Sequence, residues 1–485
     1  MKLKNFLLII TLLFVLNSAC TVNQDAEFYY NSGNMLAKGD KPRESIPEFS
    51  KAIEIDPQFE DAYFNRGLAY AKLNLNDSAL QDFNKVLELN PEQSDAYLNR
   101  ANMYFRMQNF TKAREDYNQA ITMQPIDGSA YYGLGLTLHQ LRKYEDALAS
   151  FDRSVELDSL HYRVYYNRAL TFMELKKYES ALADLNKARD LQPEDPEIAF
   201  ARGSLYEQQE DFEKALEAYT QAIAIEPGIA NFYYNRGLVF YKLMEYQKAL
   251  EDYNVLLIID TAFSMGYVNR GVTYFKLSEF EQAVLDFDRA LAIDPQNINA
   301  YFNRGLTYFN LTEYHKAIQD YTLSINMNRN QPLFYYNRGL AFIRTKQFEL
   351  AKLDYDRILR MNPNFPGVHV NRGLAYAGLE NHERALADFN TAIKLNASDA
   401  SAFYNRALSY EKSGEFMKAV QDYQQALKFR PEDLSVYYNI ARANDQAGKP
   451  AEAISAYEKF IAANPPDQAQ SLDYSHQRIQ ELKNQ

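Results

Sequence analysis

The stretch Tyr301-Phe302-Asn303-Arg304-Gly305 decides the fold, because it recurs along the chain at one fixed interval. The triplet Asn-Arg-Gly is repeated at Asn65, Asn235, Asn269, Asn337 and Asn371, and Ala replaces its Gly after Arg100, Arg168 and Arg406. Neighbouring copies lie 34 residues apart or a multiple of 34, and the register runs from Asn31 to Asn439 without an insertion or deletion. A constant period of this length is typical of stacked helix-turn-helix units, so the sequence predicts an all-α fold.

The composition narrows the classes of function. The apolar fraction of 47% is that of a folded protein. A formal net charge of −12 argues against nucleic acid as a partner, because binding to phosphates needs a basic face. The same charge argues against broad electrostatic binding to a membrane surface. Cys20 is the only cysteine, which excludes disulfides within the chain and metal sites built from several cysteines.

The first twenty residues have the pattern of an export signal. Lys2 and Lys4 precede an uncharged apolar run from Phe6 to Leu16, which is too short to span a bilayer as a helix. The run ends in Asn17-Ser18-Ala19-Cys20, which resembles the cleavage box of bacterial lipoproteins, although Asn17 stands where the box usually has an aliphatic residue. The resemblance implies a signal peptide at 1–19, lipidation of Cys20 and a tether at 20–25. Because Thr21 follows the cysteine, the expected location is the outer membrane facing the periplasm, with the cell surface as an alternative. A cleaved secretory signal with an incidental cysteine is the other interpretation.

The repeated segment resembles the tetratricopeptide repeat. With the Gly of the triplet at position 8, thirteen repeats cover residues 26–467. Position 8 is always Gly or Ala, position 20 is Ala except at Ser45, and position 24 is aromatic except at Leu185. The resemblance implies a right-handed superhelical solenoid that binds proteins or peptides on its concave surface. The repeats are 26–59, 60–93, 94–127, 128–161, 162–195, 196–229, 230–263, 264–297, 298–331, 332–365, 366–399, 400–433 and 434–467.

The repeat pattern also makes physical sense as two packed antiparallel helices. Gly305 and Ala317 are small where two helix axes must approach closely, and Tyr321 fills the space beside them. Residues 468–485 are expected to form a capping helix. In that helix Leu472, Ile479 and Leu482 are expected to point inward, and Asp473, His476 and Arg478 outward.

The arginine at position 7 has a recurring partner in the sequence. Position 23 is Asp in nearly every repeat that has this Arg, and where Arg is replaced by Leu134 or Ile440, position 23 is Ser150 or Ala456. Pairing with position 23 of the preceding repeat fits the sequence less well. The pattern predicts an ion pair between the two helices of one repeat, rather than a row of arginines that binds an anion. Representative predicted pairs are Arg66 with Asp82, Arg304 with Asp320, and Arg338 with Asp354.

The asparagine at position 6 is unfavourable inside a helix, yet it recurs. In the family, this position lies on the face that holds extended peptides, and a carboxamide can both donate to and accept from a peptide backbone. The alternative is that the asparagine bridges backbone between adjacent repeats. If a groove exists, residues 230–365 are its predicted location. An aromatic strip at this spacing is more often part of the core or of packing between repeats than of a groove. The predicted members are asparagines, this apolar strip and cations: Asn235, Asn269, Asn303, Asn337, Tyr241, Phe275, Phe309, Ile343, Lys242, Lys276 and Arg344.

The sequence shows no pattern typical of catalysis. The six histidines fall at different repeat positions without metal-ligand spacing, and there is no phosphate-binding loop or nucleophile elbow. We therefore predict a protein that is not an enzyme, needs no cofactor, and touches the membrane only through its lipid. It is expected to be a scaffold or assembly factor of the bacterial cell envelope that binds a protein or an extended peptide. A self-associating structural protein and an accessory subunit of an envelope enzyme are the alternatives.

Overall fold

The computed structural model describes residues 25–465 and 468–484, and every regular element in these ranges is an α-helix. The predicted signal peptide and Cys20 lie outside the described residues. Helix α1 covers residues 25–38. The other helices are α2 Pro42–Ile55, α3 Glu60–Lys72, α4 Asn76–Leu89, α5 Ser94–Arg106, α6 Phe110–Met123, α7 Gly128–Gln140, α8 Tyr144–Leu157, α9 Tyr162–Glu174, α10 Tyr178–Leu191, α11 Pro196–Gln208, α12 Phe212–Ile225, α13 Ala230–Lys242, α14 Tyr246–Ile259, α15 Ser264–Lys276, α16 Phe280–Ile293, α17 Ile298–Asn310, α18 Tyr314–Met327, α19 Pro332–Arg344, α20 Phe348–Met361, α21 Val368–Gly378, α22 His382–Leu395, α23 Ala400–Lys412, α24 Phe416–Phe429, α25 Val436–Gln446, α26 Pro450–Ala463 and α27 Ala469–Lys483.

Odd- and even-numbered helices alternate as the first and second helices of successive repeats, here called helix A and helix B. Within each unit helix A packs on the helix B that follows it and on the one that precedes it, as α17 packs on α18 and α16. The predicted all-α fold of tandem helix pairs is confirmed. In two repeats helix A begins later than the sequence register suggests, at Val368 and at Val436. Gly367, with a φ of 73°, places a left-handed residue just before the first of these helices.

The turn inside each repeat is a tight helix end. In repeat 9 the N–H of Thr312 donates to Phe309 O at 3.1 Å and the N–H of Glu313 donates to Tyr308 O at 2.8 Å. These two bonds satisfy carbonyls that the end of α17 would leave unpaired, and they place Thr312 in the left-handed region at φ 62°. The corresponding residue of every other repeat also has positive φ, although only Gly414 and Gly448 are glycines.

The core of a repeat lies between its two helices. Ala317 and Tyr321 are fully buried, and a Cβ on Gly305 would come within 2.7 Å of Cε1 of Tyr321. Gly305 therefore leaves the space that the tyrosine ring fills. This contact recurs with the other aromatic residues at position 24, such as Phe83 beside Gly67.

The chain divides into two compact units, Met1–Val239 and Phe240–Gln485, which we call the N-terminal and C-terminal units. The boundary falls inside α13. The C-terminal unit ends in α27, which packs on α26 and buries Ile479 and Leu482. Arg478, which was expected to point outward, is partly exposed, and its Nε and Nη2 atoms donate to the carboxylate of Asp445 at 2.7 and 3.0 Å. No helix among the described residues is long and apolar enough to cross a membrane.

Candidate functional site

The arginines at position 7 bind the aspartates at position 23 of their own repeats through two parallel hydrogen bonds. Arg304 donates from Nε to Oδ2 of Asp320 and from Nη2 to Oδ1, both at 2.8 Å. The Asp320 side chain is only 4% exposed and that of Arg304 is 19% exposed. Burial raises the pKa of Asp320, and the hydrogen bonds and charge of Arg304 oppose that rise. The same geometry joins Arg66 to Asp82 and Arg338 to Asp354, at 2.7–2.9 Å, and it recurs at Arg100, Arg168, Arg270, Arg372 and Arg406.

Each of these arginines also reaches the preceding repeat, which the sequence analysis did not predict. Nη1 of Arg304 donates to Oδ1 of Asp288, which lies on helix B of repeat 8, at 2.5 Å. Nη1 of Arg66 donates in the same way to Ser50. The sequence does carry a signal for this contact, because position 25 always has a short polar side chain wherever such a bond forms: Ser50, Asn84, Asp152, Thr220, Asn254, Asp288, Thr322, Asp356 and Asn390. One guanidinium thus ties three helices together and has little capacity left for a ligand.

Arg202 is the exception in this series. It faces Ala218 instead of an aspartate, and its Nε is buried without a hydrogen-bond partner among the described residues. Repeats 1, 4 and 13 differ in another way, since Ser32, Leu134 and Ile440 replace the arginine itself. Leu134 and Ile440 are buried.

The asparagines at position 6 donate hydrogen bonds in two main ways, and Asn167 uses both. Where the preceding repeat has Tyr at position 5, Nδ2 donates to its hydroxyl, as from Asn371 to Tyr336 at 3.1 Å and from Asn439 to Tyr404 at 3.0 Å. Where that position has no hydroxyl, Nδ2 donates to the backbone carbonyl four residues earlier in the same helix. Asn235, Asn303, Asn337 and Asn405 bond in this second way, at 2.8–2.9 Å.

The carboxamide oxygens of five of these asparagines, all in the C-terminal unit, stay available as acceptors. Within the described part of that unit, the Oδ1 atoms of Asn303, Asn337, Asn371, Asn405 and Asn439 accept no hydrogen bond from the protein. The five side chains are partly exposed and come from consecutive repeats. We call these five residues the asparagine row. The row combines an internally anchored amide with a free acceptor in each repeat.

The predicted apolar strip packs inside the repeats and remains partly exposed. The rings of Phe275 and Phe280 lie 5.5 Å apart, and those of Phe309 and Tyr314 lie 5.2 Å apart, so each position-12 ring contacts the first residue of its own helix B. Tyr241 contacts Tyr246 in the same way at 5.4 Å. Ile343 is partly buried, and Lys242, Lys276 and Arg344 are exposed.

The predicted groove residues do not all belong to one unit. Asn235 lies in the N-terminal unit, and the other predicted members lie in the C-terminal unit. The groove assignment stays a prediction.

The structure also shows two clefts beside position-6 asparagines that the sequence analysis missed. A cleft of about 530 Å³ in repeats 1 and 2 is lined by Asn34, Asn65 and Lys38, among others, and Asn65 donates to Asn34 Oδ1 at 2.8 Å. A cleft of about 320 Å³ in the C-terminal unit is lined by Tyr404 and Asn405. The rare Asn at position 9 of repeat 1 is the sequence signal that could have indicated the first cleft.

In the part of the chain that the structure describes, no group of three or more His, Cys, Asp or Glu side chains could hold a metal ion. His139 illustrates the use of histidine here. Its Nδ1 lies 2.9 Å from Oγ1 of Thr171, its ring packs against Tyr144, and burial lowers its pKa.

Comparisons with known proteins agree with this architecture. Models of the tetratricopeptide repeat match residues 60–93, 98–162, 132–196, 166–228, 200–262, 298–331, 333–365 and 404–468. A further TPR repeat model matches residues 33–74, 271–311 and 379–414. These matches together extend over most of the chain. The comparison with curated proteins finds no match.

Solved structures similar to the chain include the APC/C hetero-tetramer Cut9–Hcn1, with 14% identity, coverage of 96% of this chain and 98% of that chain, and a TM-score of 0.42. A tetratricopeptide repeat protein from Parabacteroides merdae has 21% identity, coverage of 51% and 98%, and a TM-score of 0.39. Yeast Tom70 has 16% identity, coverage of 95% and 97%, and a TM-score of 0.36. On the strength of the repeat models, the chain belongs to the tetratricopeptide repeat family.

Proposed function

We propose that the protein is a non-enzymatic scaffold that holds an extended segment of a partner protein along the asparagine row. The tetratricopeptide fold is typical of protein–protein interaction. The observation that carries the proposal is the set of free Oδ1 acceptors in five consecutive repeats, each on an amide whose N–H is already anchored. An anchored amide loses little side-chain entropy when it accepts a bond from a ligand.

The spacing of the row suits a peptide backbone. Neighbouring packed helices lie about 8–10 Å apart, and an extended chain advances about 3.3 Å per residue. About three ligand residues therefore separate one asparagine from the next. Backbone N–H groups of the ligand can meet the Oδ1 acceptors whatever the ligand side chains are. The row thus supports binding of an extended chain with loose sequence preference.

The side chains near the asparagine row are expected to determine which ligand sequences bind. Phe275, Phe309 and Ile343 offer partly exposed apolar surface, and Lys276 and Arg344 are exposed cations. We expect these residues to favour a segment that mixes apolar and acidic side chains. They follow the family pattern for the ligand-binding face.

The test compares asparagines that make the same hydrogen bond to their own helix but lie either inside or outside the asparagine row. Asn303, Asn337 and Asn405 donate to carbonyls of their own helices, so replacing them with Ala should not reduce stability and removes only the free acceptors. Asn99 makes the same bond, to Asp95, in the N-terminal unit, and Asn99→Ala is the matched control. Partners are captured by cross-linking in intact cells and identified by mass spectrometry. We expect the triple variant, but not the control, to lose its main cross-linked partner.

An unchanged set of cross-linked partners in the triple variant would refute binding along the row. The variant Asn303→Ala with Phe309→Ala tests the alternative that the protein is a self-associating structural protein. A changed assembly state in analytical ultracentrifugation supports self-association, whereas lost partner capture with an unchanged assembly state supports the groove. An accessory role in an envelope enzyme complex would appear as an enzyme among the captured partners.

We further propose that the scaffold is a lipoprotein of the bacterial outer membrane, held by acyl chains on Cys20. The proposal is supported by the sequence of the first twenty residues, where the only cysteine follows an apolar run and small residues. Several acyl chains give durable anchoring, since each buried CH₂ contributes about 0.8 kcal/mol. Palmitate labelling of wild type against Cys20→Ala tests the anchor. Equal labelling of the two proteins would exclude it.

A further inference from the structure

A cleft of about 930 Å³ lies between the B helices of the last two repeats, and none of its lining residues is an asparagine of position 6. Its walls come from α24 and α26, and residues of α25 form its floor. α25 packs against both of these helices. All of its lining residues belong to the C-terminal unit. We call it the B-helix groove.

The groove lies where the arginine connection is missing. In repeat 13, Ile440 stands at the arginine position and Ala456 at the aspartate position, and both line the groove. In repeat 9 the same space holds the guanidinium of Arg304 and the carboxylate of Asp320. Ile440 on the floor and Ala456 on the wall are each 6% exposed, so the groove is apolar where other repeats have an ion pair. The sequence change thus removes a structural contact and leaves a surface that can receive another group.

The groove has a mixed apolar and polar lining and a positive rim. Met417, which is 39% exposed, and the partly exposed Tyr437 give it apolar surface, and side chains such as Gln424 give it polar surface. Three lysines, Lys428, Lys449 and Lys459, lie around it against one acid, Glu452. None of these lysines forms an ion pair among the described residues, although Lys459 Nζ lies 5.8 Å from the ring centre of Tyr437. In a chain of net charge −12, this local excess of cations favours an acidic ligand.

The walls of the groove determine whether a strand or a helix of a ligand can bind. They are helices, and their backbone N–H and C=O groups are already paired within those helices, so they offer no main-chain bonds to an added strand. Asn444, which also lines the groove, already donates its Nδ2 to Ile440 O at 2.9 Å. A helix needs no such bonds, since its own backbone is satisfied, and it binds through side chains at i, i+3, i+4 and i+7. We propose that the B-helix groove binds an amphipathic helix of a partner protein, with an apolar face toward Ile440 and acidic residues toward the lysines.

The sharpest variant rebuilds the connection found in other repeats. Ile440→Arg with Ala456→Asp should fill the groove with an ion pair and keep the fold, because the same pair is present in repeats 9 and 12. Lys428→Glu with Lys459→Glu is the second variant. It changes two exposed side chains and leaves the apolar floor unchanged. The asparagine variant Asn303→Ala with Asn337→Ala and Asn405→Ala is the control for binding at the other face.

The probe is a displayed library of 14-residue peptides with a helical pattern, randomised at the apolar and flanking positions. It is selected on the full chain and counter-selected on Ile440→Arg with Ala456→Asp. We expect enriched helices with Asp or Glu beside the apolar face, which bind at least tenfold more weakly to both groove variants and equally well to the asparagine control.

The proposal is overturned if no clone distinguishes wild type from the filled variant, or if the enriched clones are basic or contain proline in the middle of the helix. It is also overturned if wild type self-associates and Ile440→Arg with Ala456→Asp does not, because the occupant would then be a second copy of the chain. Should the filled variant fail to fold, judged by circular dichroism, the lysine variant decides the outcome. Loss of binding to the asparagine control alone would assign the ligand to the asparagine row and contradict the groove.

Discussion

Removing Arg304 alone should cost far more stability than removing Arg304 together with Asp320. In Arg304→Leu, the Asp320 carboxylate, 4% exposed, loses both of its hydrogen bonds to the guanidinium and keeps its charge. Breaking a buried pair in this way costs about 3–5 kcal/mol. The lost bond to Asp288 adds little, because that side chain is 47% exposed. In the double variant Arg304→Leu with Asp320→Ala no charge stays buried, and the expected cost is about 1 kcal/mol or less.

Thermal unfolding of the full chain measures this difference. For a unit of the size of the C-terminal one, each kcal/mol shifts Tm by about 2–4 °C, so Arg304→Leu should lower its Tm by at least about 6 °C. The double variant should stay within about 4 °C of wild type. Hydrogen exchange over α17 and α18 locates the effect, because repeats lose stability locally. Equal Tm shifts for the two variants would refute the buried pair.

The pH dependence of Arg304→Leu gives an independent check. Burial raises the pKa of Asp320, and the variant removes the arginine that opposes the rise. An acid whose pKa is higher in the folded than in the unfolded state loses stability as the pH rises from its unfolded pKa, about 3.9, through its folded pKa. The penalty of Arg304→Leu should therefore be smaller at pH 4 than at pH 8. The double variant, which lacks the carboxylate, should show no such trend relative to wild type.

Three further substitutions test other contacts in the same way, by thermal unfolding. Ala218→Asp should raise stability by about 1 kcal/mol, because it gives the buried Nε of Arg202 the acceptor found in other repeats; a loss would show that this arginine serves another purpose. Tyr321→Phe should be neutral or stabilising, since its buried hydroxyl has no partner among the described residues, whereas Tyr117→Phe loses a 2.6 Å bond and should cost about 1 kcal/mol. Equal effects would contradict this reasoning. Thr312→Gly should stabilise by roughly 0.5–1 kcal/mol, because a β-branched residue is strained at φ 62°; a loss would show that the turn does not strain the threonine.

The helix pairs were predictable because the signal was repeated along the chain. One occurrence of Gly305 before Tyr321 says little, but a small residue at position 8 with an aromatic one at position 24 in nearly every repeat identifies a helix contact. The partner of Arg304 was identifiable for the same reason, since positions 7 and 23 change together. Repetition within one chain thus supplied information that a single site would not.

The contacts between repeats were harder to predict. Position 25 varies among Ser, Asn, Asp and Thr, as in Ser50 and Asp288, so its bond to the arginine leaves only a polar preference in the sequence. The bond of Asn371 likewise depends on a hydroxyl of Tyr336, 35 residues earlier, and disappears where that residue is Phe or Val. Bridging between repeats therefore occurs for some asparagines, through a tyrosine hydroxyl rather than through the backbone, and binding of a peptide stays a prediction. Some asparagines bridge repeats, and all five in the row keep a free acceptor.

These contacts favour a register without insertions. Arg304 binds residues 16 positions away in both directions, Asp320 after it and Asp288 before it, so an added residue in the turn on either side would displace one partner. The turn within the repeat is closed by two hydrogen bonds around the left-handed Thr312, which fixes its length as well. Strain at that residue is offset by the satisfied helix end and by the ion pair beyond it. The closed turn in every repeat, and the arginine connection in the repeats that have it, both favour the fixed interval of 34 residues, and the B-helix groove lies beside repeat 13, one of the repeats without the arginine.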